Sequence, residues 1–301
     1  MIKKEGLAAF LTPMDRQNLS RLTLQSRYVV EGNLAGRHRS PLRGASTEFA
    51  DHRAYMPGDD PRRLDWKVLG RTERYYVRRY QDETNLRVYL IIDRSASMGY
   101  GSGAETKFHY ACRLAAAIGY VVLRNRDSVG LYAYSQDIDA AMGARSSFAH
   151  LNNVMKTLQT FRPAATTATA PALHRVADDV RRRALIVLLS DLLDDPPEVM
   201  KALAHFRKLH HDVIVFHTLD PRELDLGFKR GAEFEDLETG ERLVVDPRVL
   251  GDAYRRVFGE FLEQYRKPCA EMNVDYRVVN TGQPLDVFVR AYLAERRRMS
   301  R

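Results

Sequence analysis

From residue 85 onward the chain repeats one pattern: a short run rich in Val, Ile and Leu, then a stretch of helical length, then another apolar run. "RVYLII" (Arg87–Ile92), "SVGLYAYS" (Ser128–Ser135), "ALIVLLS" (Ala184–Ser190), "DVIVFHTLD" (Asp212–Asp220) and "DYRVVN" (Asp275–Asn280) are the apolar runs. Near-continuous apolar runs of this length read as strands buried on both faces, the habit of parallel sheets. Between and after them the sequence predicts helices over about 107–126, 148–161, 170–183, 198–209, 248–272 and 285–298, with a hairpin at "EFEDLETGERLVVD" turning at "ETGE". Strands that alternate with helices imply right-handed βαβ crossovers. The expected fold is a doubly wound, mostly parallel α/β sheet.

The first 84 residues differ and are expected to form an N-terminal extension, with the α/β domain running over 85–301. A helix is expected over about Asp15–Val30, followed by the basic stretch "GRHRSPLRG" (Gly36–Gly44). "PGDDP" is turn chemistry, with Asp60 capping a helix that starts at Pro61 and carries Trp66 as a core anchor. "RYYVRRY" alternates as a strand, and the short "QDET" connection predicts an antiparallel pairing with "NLRVYLII" that would extend the main sheet.

Composition narrows the class. Among 301 residues, 45% hydrophobic and 29% charged describe a globular chain. The longest nearly uncharged apolar runs, at 114–123 and 184–190, are too short to span a bilayer, and no leader pattern opens the chain. A cytoplasmic location is expected. Cys112 and Cys269 stand alone, which argues against zinc and against a disulfide framework. The net charge of +8 is local: residues 1–86 hold 16 Lys and Arg against 11 Asp and Glu, leaving 31 against 28 for the rest.

"LIIDRSASMGYGSG" (Leu90–Gly103) carries the chemistry. An apolar strand ends at Asp93, and Ser95 and Ser97 follow at alternate positions. Three readings are open for such a trio: a catalytic carboxylate, ligands for a hard cation, or a turn that caps the next helix. A second apolar strand also ends in an aspartate, Asp191, and the hydroxyl-rich "TTAT" (Thr166–Thr169) precedes the helix leading into it. In open α/β sheets ligands bind outside the carboxyl ends of strands. Two aspartates, two serines and a threonine there form an oxygen-only set suited to Mg²⁺, with a coordination position left for an incoming carboxylate. Asp194 and Asp195 read as caps for the helix beginning "PPEVMKAL", and the nine histidines show no metal spacing.

"DRSASM" with a downstream threonine and "SD" resembles the metal-ion-dependent adhesion site of von Willebrand factor A domains. "GRHRS", "EFADHRAYMPGDDPRRLDWK" and "YYVRRYQDE" leading into "DRSASM" resemble more closely the bacterial family called domain of unknown function fifty-eight. The resemblance implies a von Willebrand factor A-like fold with metal positions at Asp93, Ser95, Ser97, Thr167 and Asp191. It implies Mg²⁺, or another divalent cation such as Mn²⁺ or Ca²⁺, and a non-catalytic adaptor for a MoxR-type AAA+ ATPase in the assembly of protein complexes. "AATTATAP" lacks the glycines usual before the threonine, so Thr166 and Thr169 stand beside Thr167 as candidates. The paired N-terminal membrane helices of many family members are absent from this sequence, which points to a soluble version.

The sequence leaves two other functions open. An enzyme would use Asp93 as nucleophile in the manner of haloacid-dehalogenase-like phosphatases, but the second acid those need two residues on is Ser95 here. A nucleic-acid or phosphate binder would rest on the basic N-terminal segment alone, without a recognisable nucleic-acid fold signature.

Overall fold

The computed structural model describes residues 5–24, 49–56, 64–80, 86–163, 166, 168–226, 232–235, 242–245 and 247–299. Chain contacts divide it into two units, Met1–Tyr28 with Leu86–Arg301, and Val29–Asn85.

In the larger unit α1 (Leu7–Phe10) and α2 (Pro13–Leu19) precede a six-stranded sheet. In the smaller unit β1 (Phe49–Ala54), α3 (Trp66–Thr72) and β2 (Tyr76–Tyr80) follow in chain order. The sheet then begins with β3 (Arg87–Asp93), α4 (Lys107–Arg124), β4 (Ser128–Tyr134), β5 (Ile138–Arg145), α5 (Phe148–Thr160) and α6 (Thr169–Asp179). The chain continues with β6 (Leu185–Ser190), α7 (Pro196–Lys208), β7 (Asp212–Leu219), α8 (Pro221–Asp225), β8 and β9 (Ala232–Glu235, Arg242–Val245), which form a separate two-stranded antiparallel sheet, α9 (Pro247–Glu271), β10 (Asp275–Asn280) and α10 (Leu285–Met299). Strand order is β10-β7-β6-β3-β4-β5, parallel except for β5 at one edge. This is the expected doubly wound, mostly parallel α/β architecture.

The strands at the centre explain the layering. Leu90 and Ile92 face one side with Leu185, Val187 and Leu189, covered by α4 and α5; Ile91, Ile186 and Leu188 face the other, covered by α6 and α7. All of these side chains are fully buried, each contributing roughly 1.5–3 kcal/mol by removal from water. Sheet and helices thereby fix the carboxyl ends of β3 and β6 side by side. No helix among the described residues is long and apolar enough to cross a membrane.

Several expectations are corrected. β2 does not pair with β3; it pairs antiparallel with β1, in a separate two-stranded sheet. The reason is topological: β3 lies inside the sheet, with β4 on one side and β6 on the other, and has no free edge. Residues 1–28, grouped by sequence with the extension, contribute Leu7, Phe10, Leu11, Leu19 and Leu24 to the main core. The helix expected from Asp15 begins at Pro13, where Thr12 and Asp15 form a capping box, and ends at Leu19. Trp66 is 63% exposed and anchors no core; it opens α3 behind the N-cap Asp65, while Leu64 and Val77 are the buried side chains nearby. The proposed cap at Asp60 and the basic stretch Gly36–Gly44 lie outside the described residues. β5 escaped the sequence reading because "IDAAMGAR" is weakly apolar and only alternate residues are half-buried.

Candidate metal centre

β3 and β6 are parallel neighbours in which Ile92 lies opposite Leu189, so Asp93 and the Ser190–Asp191 pair close adjacent strands at one edge. The side chains of Asp93, Ser95, Ser190 and Asp191 are wholly buried, and Ser97 is nearly so. Asp93 Oδ1 accepts from the Ser95 backbone N–H at 2.8 Å, and its Oδ2 accepts from the Ser190 hydroxyl at 2.6 Å. The first contact turns the chain after the strand, so the turn-and-cap reading of this trio describes part of its work. The hydroxyls of Ser95 and Ser97 are 3.0 Å apart.

Behind this cluster, Ser190 also accepts from the Leu192 N–H at 2.9 Å. Leu192 itself has a left-handed backbone (φ 50°), unusual for a branched apolar residue and costing of order 1 kcal/mol or more. Its buried side chain and the Tyr265 hydroxyl on its carbonyl, at 2.9 Å, hold that conformation. His217 Nε2 donates to the Asp191 carbonyl at 2.7 Å, which leaves Nδ1 to accept from the Tyr276 hydroxyl at 2.6 Å. Burial pushes His217 down to about 4, so it stays neutral in this role.

Burial, and then the charge of Asp191, push the Asp93 carboxyl up to about 6 against the opposing hydrogen bonds from Ser190 and Ser95. Two buried carboxylates are thus held close enough to repel. Lys107, the first residue of α4, answers the second of them. Its Nζ is 2.7 Å from Asp191 Oδ2 and 2.6 Å from Glu223 Oε1 on α8. Burial disfavours that ammonium, but Asp191 and Glu223 outweigh it and hold Lys107 above the usual lysine value. Gly101 permits the approach of this helix start, since a Cβ there would meet the Glu105 carbonyl at 2.5 Å; the neighbouring Tyr100 carbonyl accepts from Lys107 N–H at 2.8 Å.

Four of the five residues singled out from the sequence come together at this edge. Asp93, Ser95, Ser97 and Asp191 lie together, and Thr167 falls outside the described residues. Of the other two threonines, Thr166 is exposed and accepts from Gln136. Thr169 is fully buried and receives the Tyr134 hydroxyl at 3.4 Å, which brings it to the Asp93 side of the site. Asp194 caps a different helix from the one expected, accepting from the Thr169 N–H at 2.8 Å, and Asp195 occupies the N-cap of α7 without a side-chain bond. Sequence reasoning missed Lys107, Glu223 and Ser190. Ser190 was visible as the residue before Asp191; Lys107 and Glu223 join only through the fold.

The donor set fits a small, hard divalent cation. Adjacent oxygens of an octahedron with bonds of about 2.1 Å stand about 3.0 Å apart, the separation of the two serine hydroxyls. Among the described residues no group of three or more His, Cys, Asp and Glu could hold a metal ion. A cation here would accordingly depend on hydroxyls and water as well as on Asp93 and Asp191.

The sequence pattern of a family described as "protein of unknown function DUF58" matches residues 51–267. Mycobacterial relatives described as uncharacterized protein Mb1516, of Mycobacterium bovis, and uncharacterized protein Rv1480, of Mycobacterium tuberculosis, are each 29% identical over 242 residues, covering 79% of this chain and 76% of theirs. Among solved structures, an aerotolerance-related membrane protein from Bacteroides fragilis matches with TM-score 0.47 and 17% identity, over 71% of this chain and 99% of that one. BatB from Bacteroides thetaiotaomicron matches with TM-score 0.43 and 15% identity, over 71% and 98%.

Proposed function

Because this chain belongs to the DUF58 family, which is defined by sequence and not by a reaction, we propose from the site that it is a non-catalytic module binding a protein partner through a divalent cation. The observation that carries this reading is the buried cluster of Asp93, Ser95 and Ser97 beside the strand that ends in Asp191. These four would hold the cation, with Thr167 or Thr169 as the threonine. When bound, the ion supplies a Lewis-acidic position for a partner carboxylate. Ser95 and Ser97 orient their hydroxyls, Ser190 fixes the Asp93 carboxylate, and His217 fixes the Asp191 backbone. The family resemblance suggests a MoxR-type AAA+ ATPase as the partner.

The enzyme reading has less support. Asp93 is fully buried with both carboxylate oxygens engaged, a poor posture for a nucleophile that must reach a phosphate ester. The residue two positions on, where a general acid would stand, is Ser95.

The reading is tested by co-purification of the full chain with a MoxR-type ATPase in Mg²⁺ and in EDTA, for wild type and Asp93→Ala. Complex formation only for wild type in Mg²⁺ is expected. Equal recovery in EDTA contradicts it.

A further inference from the structure

Buried charge at the site exceeds what cation coordination needs. Lys107 has no exposed side-chain surface and bridges Asp191, at 2.7 Å, to Glu223, at 2.6 Å. A buried ammonium persists only when carboxylates surround it, and here one of them is itself a candidate metal ligand. Asp191 commits Oδ2 to Lys107, while among the described residues its Oδ1 has only a long 3.5 Å contact from the Leu193 N–H.

Glu223 has a second duty. Its other oxygen, Oε2, accepts from the Asp220 N–H at 2.7 Å in the capping box of α8. The Asp220 carboxylate in turn takes the Ser102 N–H at 2.8 Å and the Ser102 hydroxyl at 2.5 Å, in the loop that follows Ser97. A continuous set of hydrogen bonds therefore runs from Asp191 through Lys107 and Glu223 to the start of α8, and back to the loop carrying the serine ligands.

We propose that Lys107 is a built-in counter-cation: its ammonium balances Asp191 in the cation-free protein, opposes an incoming divalent ion, and links loading of the site to the cap of α8. This rests on the cation-binding reading above and adds its regulation. The physics sets the sign. A positive charge held against a ligand carboxylate in a low-dielectric site repels a second cation strongly, so the lysine lowers affinity while it stabilises the cation-free fold. Glu223 draws the ammonium away from Asp191 and moderates the opposition.

The test is calorimetric titration of the full chain with Mn²⁺, beside thermal melting in EDTA, for wild type, Lys107→Met and Glu223→Gln. Lys107→Met is expected to bind Mn²⁺ at least about tenfold more tightly and to melt at lower temperature in EDTA. Glu223→Gln, whose side chain is partly exposed and whose loss threatens folding less, is expected to bind several-fold more weakly. Hydrogen exchange over residues 220–226 should change when Mn²⁺ is added to wild type and not when it is added to Lys107→Met. Unchanged or weaker binding by Lys107→Met, or unchanged or tighter binding by Glu223→Gln, overturns the proposal while leaving the cation site standing. Absence of Mn²⁺ binding in wild type and both variants overturns the proposal together with the site.

Discussion

Ser190 donates a 2.6 Å hydrogen bond to Asp93 across two neighbouring strands, and it stands immediately before Asp191 in the chain. One hydroxyl thus ties the first candidate ligand to the strand that delivers the second. Replacing Ser190 by Ala leaves Asp93 Oδ2 without that donor and Leu192 N–H without its acceptor. A buried polar group left unpaired costs about 1–3 kcal/mol. Chemical denaturation in EDTA should show a loss of that order, and Mn²⁺ binding should weaken. Unchanged stability would mean that water or another group replaces the hydroxyl at no cost.

The pH dependence of the cation-free protein has two opposing parts. Asp93 is raised to about 6 from an ordinary value of 3.8, so the folded state favours its neutral form; the associated stability is full below about 4 and is lost as pH rises through 6. His217 is lowered to about 4 from 6.5, so its contribution is full above 6.5 and is lost as pH falls towards 4. Asp93→Asn removes the first part. In EDTA that variant should melt above wild type at pH 8, and the gap should narrow as pH falls below 6. A gap that widens towards acid pH would assign the raised carboxyl wrongly.

Leu193, two residues after Asp191, is 43% exposed at the same edge, an apolar side chain beside the site. Leu193→Arg should weaken partner binding in Mg²⁺ roughly tenfold while leaving Mn²⁺ affinity within about twofold. A tenfold loss corresponds to about 1.4 kcal/mol at an interface contact. Loss of both together would place Leu193 in support of the cation and not of the partner.

Trp66 tests the smaller unit. Because its ring is largely exposed, Trp66→Ala should change stability by less than about 0.5 kcal/mol, as for other surface positions. Its intrinsic fluorescence should be that of a solvated indole. A blue-shifted emission with a loss of several kcal/mol would restore it to a core.

What could be read from sequence and what could not divides along physical lines. Five strands and most of the helices were legible because fully buried segments such as Leu185–Ser190 must be apolar along their whole length. Asp93 and Asp191 were legible because an ionisable residue ending such a run has no packing reason to be there. β5 was hidden because its sequence is weakly apolar and none of its residues is fully buried. The partner of β2 was hidden because proximity in the chain favours a hairpin, and only the complete strand order shows that β3 has no edge to offer. Lys107 was hidden most deeply. At the head of an apolar helix a lysine reads as solvated, and only the convergence of α4, β6 and α8 brings it to Asp191 and Glu223.

Whether Asp93 and its neighbours bind a divalent cation is decided by calorimetric titration of the full chain with Mn²⁺ and Mg²⁺, for wild type and Asp93→Ala. Wild type should bind one ion per chain. Asp93→Ala should bind none while keeping its far-ultraviolet circular dichroism and its cooperative melting. No binding by wild type, or equal binding by a folded Asp93→Ala, would rule out a cation held by Asp93.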